Sequence, residues 1–114
     1  MTSQNLGSLA WANASLRVVD LPLFTGISSE MMKRDLNTFQ SQHFSQLSWA
    51  YASLGISDTA LFDRLAAHWM AQDTTLATFS CMQLVTVCWA FGTMQHSHVA
   101  LFDKLVAEMI RRCV

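Results

Sequence analysis

Apolar residues in the middle of the chain recur at helical spacing. Phe44, Leu47, Tyr51 and Leu54 follow one another at intervals of three and four, which puts them on one face of an α-helix. Trp49, Ala50 and Ala52 widen that face, and the pattern predicts a helix over residues 41–54. Gly55 closes it, because glycine tolerates the left-handed conformation in which helices end. Ser57 or Asp58 caps the next helix. Its stripe is Leu61, Phe62, Leu65, Ala66 and Trp69, and it ends near Ala71. A largely polar connector follows over residues 72–78. The same order returns downstream as a helix over 80–94, a turn over 95–97 and a second helix to 113. Upstream, Asp20-Leu21-Pro22 reads as a cap with proline in the first turn, where its missing N–H costs nothing. That second helix runs to about Arg34.

The elements recur because the residues do. QNLGSLAWANASL surrounds Trp11, QHFSQLSWAYASLG surrounds Trp49 and MQLVTVCWAFGTM surrounds Trp89, at spacings of 38 and 40 residues. Twelve positions after each tryptophan stands a Leu-Phe pair: Leu23-Phe24, Leu61-Phe62 and Leu101-Phe102. Phe39 and Phe79 stand ten positions before the second and third tryptophan. A period of this length marks stacked two-helix units, each of which leaves an apolar face that its neighbours must cover. The expected fold is all-α, without strands. It is a right-handed α-solenoid of three stacked antiparallel two-helix repeats, in one array over residues 1–114 with units at about 1–38, 39–78 and 79–114. Ala12 and Ala14, Ala50 and Ala52, and Ala90 and Gly92 share two columns of the repeat. Small side chains there let helices approach closely, and the tryptophans are expected to fill the remaining core volume.

Composition narrows the class. The chain is 52% hydrophobic and 13% charged, against a usual charged share of about 25%. That apolar excess fits an array continued by further units. The chain also starts almost where a unit starts and stops where one ends, so it reads as a fragment of a longer array. A net charge of −1 announces neither a nucleic-acid nor a membrane surface. No uncharged apolar run reaches the length of a transmembrane helix, and no targeting segment opens the chain. The 3 cysteines show no paired framework, which points to a reducing compartment.

QNLGSLAWANASL, QHFSQLSWAYASLG and the Leu-Phe pairs resemble the octotricopeptide repeat, whose units of about 38 residues carry the signature Pro-Gln-x-Leu-Ala-Asn-x-Leu-Trp-Ala-Leu-Ala. The chain is similar as well to the helical arrays of RAP-domain and FAST-kinase-domain proteins. The resemblance spans essentially the whole chain. The first two units keep the Trp-Ala pair, the Leu or Phe five positions before it and the Gln seven positions before it. The third departs, with Met82 in the Gln column, and Ser8, Gln46 and Thr86 stand where the family has Asn. The resemblance implies binding of organellar RNA, in a mitochondrion or plastid, and control of its processing, stability or translation.

The residues themselves offer a matching surface. On the first helix of each unit one row faces away from the apolar stripe: Asn5, Ser8 and Ser15, then His43, Gln46 and Ser53, then Gln83, Thr86 and Thr93. Asn5, Ser8, His43, Gln46, Gln83 and Thr86 are the candidate RNA-binding residues. They are uncharged hydrogen-bonding groups suited to the base edges of single-stranded RNA, read about one base per repeat. The 7 Lys and Arg argue for weak binding by this chain alone, since phosphate contacts supply most non-specific affinity. Arg64 and Lys104 share a column, each preceded by an Asp. No duplex DNA and no membrane are expected as partners.

Other chemistry is thin. Cys81, Cys88, His96 and His98 invite a metal reading. However, Cys81 and Cys88 on one helix would lie about 10.5 Å apart along its axis, too far to share one zinc at about 2.3 Å. No catalytic motif is present, so neither enzyme activity nor a metal or cofactor is expected. Met31, Met32, Met70, Met82, Met94 and Met109 support the alternative of an adaptable protein-binding groove, on a scaffold of armadillo or tetratricopeptide kind.

Overall fold

A computed structural model describes residues 3–71, 77–93 and 99–113, and over these the chain is all-helical. Six α-helices follow in order: α1 (Ser3–Ser15), α2 (Leu21–Lys33), α3 (Ser41–Ser53), α4 (Thr59–Ala71), α5 (Cys81–Thr93) and α6 (Val99–Cys113). A short 3-10 turn, Leu36–Thr38, precedes α3. No strand occurs among the described residues. Residues 72–76 of the expected connector, the expected turn at 95–97, Met94, His96 and His98 lie outside the described residues.

Trp11, Trp49 and Trp89 each stand eight residues after the start of a helix of 13 residues. Leu23, Leu61 and Leu101 each stand two residues after the start of the partner helix. The fold is thus repeat-like at the level of the helix. Asp20 caps α2 by accepting from Leu23 N–H at 3.1 Å, and Asp58 caps α4 through Leu61 N–H at 3.0 Å. Gly55 closes α3 with φ +68°. Arg17 takes the same place after α1 with φ +57°, a conformation that costs a side chain of L-configuration roughly 1–2 kcal/mol. The same closing bond occurs in both turns: Val18 N–H to Asn13 O at 2.8 Å and Ile56 N–H to Tyr51 O at 2.9 Å.

The helices sort into two sets. α1 packs along α3, and α3 along α5, with backbones close over much of their length. α2 and α4, and α4 and α6, touch at fewer places. Close approach in the first set follows from its small buried residues: Gly7, Ala10 and Ala14 on α1, Ala50 and Ala52 on α3, and Ala90 on α5. At Gly7 an added Cβ would stand 3.5 Å from His43 Cα and 2.7 Å from Gln46 Oε1. None of the three helices carries a formal charge, so no desolvated ion opposes their contact.

The core lies between the two sets. Leu6, Phe44 and Leu84 occupy one column of it, and Phe24 and Phe62 come from the Leu-Phe pairs. Phe39 and Phe79 are buried. Trp69 is the largest fully buried side chain, with Phe44 at 5.5 Å, Phe79 at 5.5 Å and Phe91 at 5.6 Å between ring centroids.

The repeated tryptophans depart from expectation. Trp11 is 49% exposed and Trp89 47% exposed, and Trp49 is only partly buried against the core. The reason is angular. At about 100° per residue, Trp49 lies roughly 140–200° around α3 from Phe44, Leu47 and Tyr51, on the side opposite the stripe. Trp69, on the second helix, takes the volume assigned to them.

Stability should divide the tryptophans accordingly. Trp69→Ala should cost about 3–5 kcal/mol, the range for aromatic truncation in a core. Trp11→Ala should cost no more than about half of that, since half its surface is already in water. Chemical denaturation of the two variants checks this. Equal losses would mean that the Trp11 column is core after all.

Candidate nucleic-acid interface

The solvent face of the first helix set is built by three residues per helix at i, i+3 and i+7. On α1 they are Ser8, Trp11 and Ser15; on α3, Gln46, Trp49 and Ser53; on α5, Thr86, Trp89 and Thr93. Each tryptophan sits between two uncharged hydrogen-bonding side chains. All nine residues are exposed or partly exposed.

The expected row is split by the structure. Asn5 and Ser8 are exposed on α1. His43, in the column of Asn5, is buried and closes the start of α3. Its Nδ1 accepts from Gln40 N–H at 3.1 Å, and its ring meets Phe39 edge-on. Burial holds its pKa below the ordinary histidine value, so the ring is neutral at pH 7 and Nδ1 keeps its lone pair. Gln83, in the same column, does the equivalent work for α5: its Oε1 accepts from Ser80 N–H at 2.8 Å, and its own N–H donates to Ser80 Oγ at 3.1 Å. This reciprocal pair is a capping box. Gln46 is partly buried with its amide against Gly7. Thr86 donates back to Met82 O at 2.8 Å. Ser8 is thus open on this face and Gln46 and Thr86 are half-buried beside the tryptophans, whereas His43 and Gln83 are committed to helix starts. Trp11, Trp49 and Trp89, expected in the core, stand on this face instead, and their position was legible in the i, i+3, i+7 relation of Gln46, Trp49 and Ser53, which is the reverse of the apolar stripe.

The cations are mostly engaged. Arg64 donates to Met31 O at 3.2 Å and Arg34 O at 2.9 Å, at the end of α2. Lys104 donates to Met70 O at 3.4 Å, at the end of α4. Their shared column thus binds each second helix to the end of the one before, where carbonyl dipoles favour a cation. Arg112 donates to Ala77 O at 2.9 Å and to Phe79 O. Arg34 pairs with Glu30 at 3.2 Å, and Arg111 with Glu108 at 2.7 Å.

No known protein family matches the chain, and no curated protein is significantly similar to it.

The cysteines differ from expectation. Cys81, at the start of α5, is disulfide-bonded to Cys113, at the end of α6, with Cα atoms 5.9 Å apart. The two are 32 residues apart in sequence, and no short motif announces the pair. Cys88 remains a thiol, partly buried, with its pKa pushed up by that burial. Among the described residues no group of three or more His, Cys, Asp or Glu is placed to hold a metal ion. No described helix is long and apolar enough to cross a membrane.

A buried polar tie sets α3 against α2. Tyr51 O–H donates to Phe24 O at 2.7 Å, so Ser28 Oγ, 2.6 Å away, donates to the phenol oxygen. Burial pushes the Tyr51 phenol up to about 12, with the Ser28 bond pulling the other way. An unfolded tyrosine titrates near 10. Below pH 10 the stabilisation is complete. As pH rises from 10 toward 12 the unfolded state loses its proton first, and up to about 3 kcal/mol is lost. Tyr51 is the only tyrosine, so its absorbance titration is unambiguous. The midpoint should lie near 12 in the folded chain and near 10 in denaturant. Coincident midpoints would contradict the buried tie.

Proposed function

We propose that this chain is an RNA-binding segment of α-solenoid type, holding single-stranded RNA across the solvent face of α1, α3 and α5. One observation carries the reading: a column of partly exposed tryptophans, one per first helix, flanked on both sides by uncharged hydrogen-bonding side chains. Aromatic faces of this kind stack bases whatever their identity, and the neighbouring Ser8, Gln46 and Thr86 carry groups of the kind that pair with base edges. The tighter packing of the first set relative to the second supports placing this face on the inner side of a curved array.

Spacing favours single strands. Packed helices stand about 8–10 Å apart, well beyond the ~3.4 Å rise of a stacked strand. A strand that follows the column gives one base to each tryptophan and breaks its own stacking between them, which a duplex cannot do. Three stacked bases contribute roughly 3–9 kcal/mol, against about 4–15 kcal/mol for association. This segment alone binds weakly, and its place in a longer array supplies the rest. The resemblance to octotricopeptide and RAP-type arrays supports a role in a mitochondrion or plastid, in RNA processing, stability or translation.

The second reading is a protein-interaction scaffold. Its support is the exposed apolar group of Met82, Val85 and Trp89 on α5, together with the engagement of most cations within the fold.

Titration of short random single-stranded RNA separates the two. The Trp11→Ala/Trp89→Ala double variant should bind about thirtyfold or more weakly, as loss of two stacking contacts of ~1–3 kcal/mol each requires. The Ser8→Ala/Gln46→Ala/Thr86→Ala variant should lose preference among sequences more than affinity. The salt dependence should be shallow, and duplex DNA should not compete. Unchanged binding by the tryptophan variant removes the column from the mechanism. No RNA binding by the parent chain, with a defined protein bound at Met82 and Val85, gives the case to the scaffold.

A further inference from the structure

The two ends of the helix stack are chemically different. Ala52 and Ala66 in the second unit are 4% and 3% exposed. Their counterparts in the third unit, forty residues on, are Gly92, which is exposed, and Val106, which is 43% exposed. Ala14 and Ser28, the counterparts in the first unit, are buried. The columns that are covered where a further unit follows are thus open on α5 and α6.

The opposite end lacks what such a contact uses. Tyr51 and Phe91 are fully buried, but their column in the first unit holds Asn13, partly buried and bonded to its own helix at Leu9 O, 2.9 Å away. Arg64 and Lys104 reach the end of the preceding second helix, but their column in the first unit holds Gly26, where an added Cβ would meet nothing within 4 Å. The first unit thus lacks both the ring and the cation that tie each later unit to the one before it.

We propose that the outer face of α5 and α6 is a docking surface for one further two-helix unit of this repeat type, a unit that carries the two anchors the first unit lacks. The incoming unit brings an aromatic residue in the Tyr51 column, and an arginine or lysine in the Arg64 column that reaches the carbonyls near Met109 and Arg112. The surface continues an interface that occurs twice within the chain. A second copy of the chain does not qualify, because its leading unit offers Asn13 and Gly26. The proposal stands apart from the RNA reading.

Giving the first unit the two missing anchors tests it. Asn13→Tyr/Gly26→Arg should make the chain self-associate head to tail at least tenfold more tightly than the parent chain in sedimentation equilibrium. Adding Val106→Glu on the exposed partner face should reverse the gain. Circular dichroism checks folding, and Gly26→Arg alone, whose side chain enters open space, carries the same readout should the double variant not fold. Self-association no tighter than that of the parent chain, or a gain that survives Val106→Glu, overturns the proposal.

Discussion

Close contact between three uncharged helices is the constraint on which the rest of this structure depends. α1, α3 and α5 approach one another through glycine and alanine, and side chains of that size leave no room between the helices for an indole. The large residues are displaced to two places. Leu, Phe and Tyr go inward, toward α2, α4 and α6. The tryptophans go outward, to the face opposite. An ion in this contact would need a partner or would cost several kcal/mol in desolvation, and the first set contains none.

Charge is consequently confined to the second helices and the loops, where it works on backbone ends. Arg64 and Lys104 satisfy carbonyls at the ends of α2 and α4. They set the register between successive units by a contact that needs a long side chain and a helix terminus. Tyr51 sets the register between α3 and α2 from inside, through Ser28 and the Phe24 carbonyl. Both ties hold the outward face steady without taking part in it. A face so built offers rings and neutral hydrogen-bonding groups and little charge.

Much of this was legible in the sequence, for a definite reason. Periodicity located Phe44, Leu47 and Tyr51 on one face, and the caps at Asp20 and Asp58 and the closure at Gly55 rest on local chemistry that a short stretch contains. Recurrence alone carried less. A residue that returns in every unit is under the same constraint in each, but recurrence does not say whether that constraint is core or surface. The angle around the helix does, and for Trp49 it points away from Leu47. His43 and Gln83 look like surface groups on a wheel, yet each is the third residue of its helix, where an acceptor is drawn back to the backbone. Arg64 follows Asp63 in sequence, whereas its partners are carbonyls 30 and 33 residues earlier. The pairing of Cys81 with Cys113 is likewise a long-range fact that no local pattern carries.

The outward placement of the tryptophan column is the central claim, and collisional quenching of tryptophan fluorescence tests it most directly. With 4 tryptophans in the chain, a polar quencher should divide the emission into two populations. Trp11 and Trp89 should be quenched readily and Trp49 less so. A blue-shifted remainder should resist quenching and should disappear in Trp69→Phe. A single shielded population, or a protected remainder that persists in Trp69→Phe, would contradict the account.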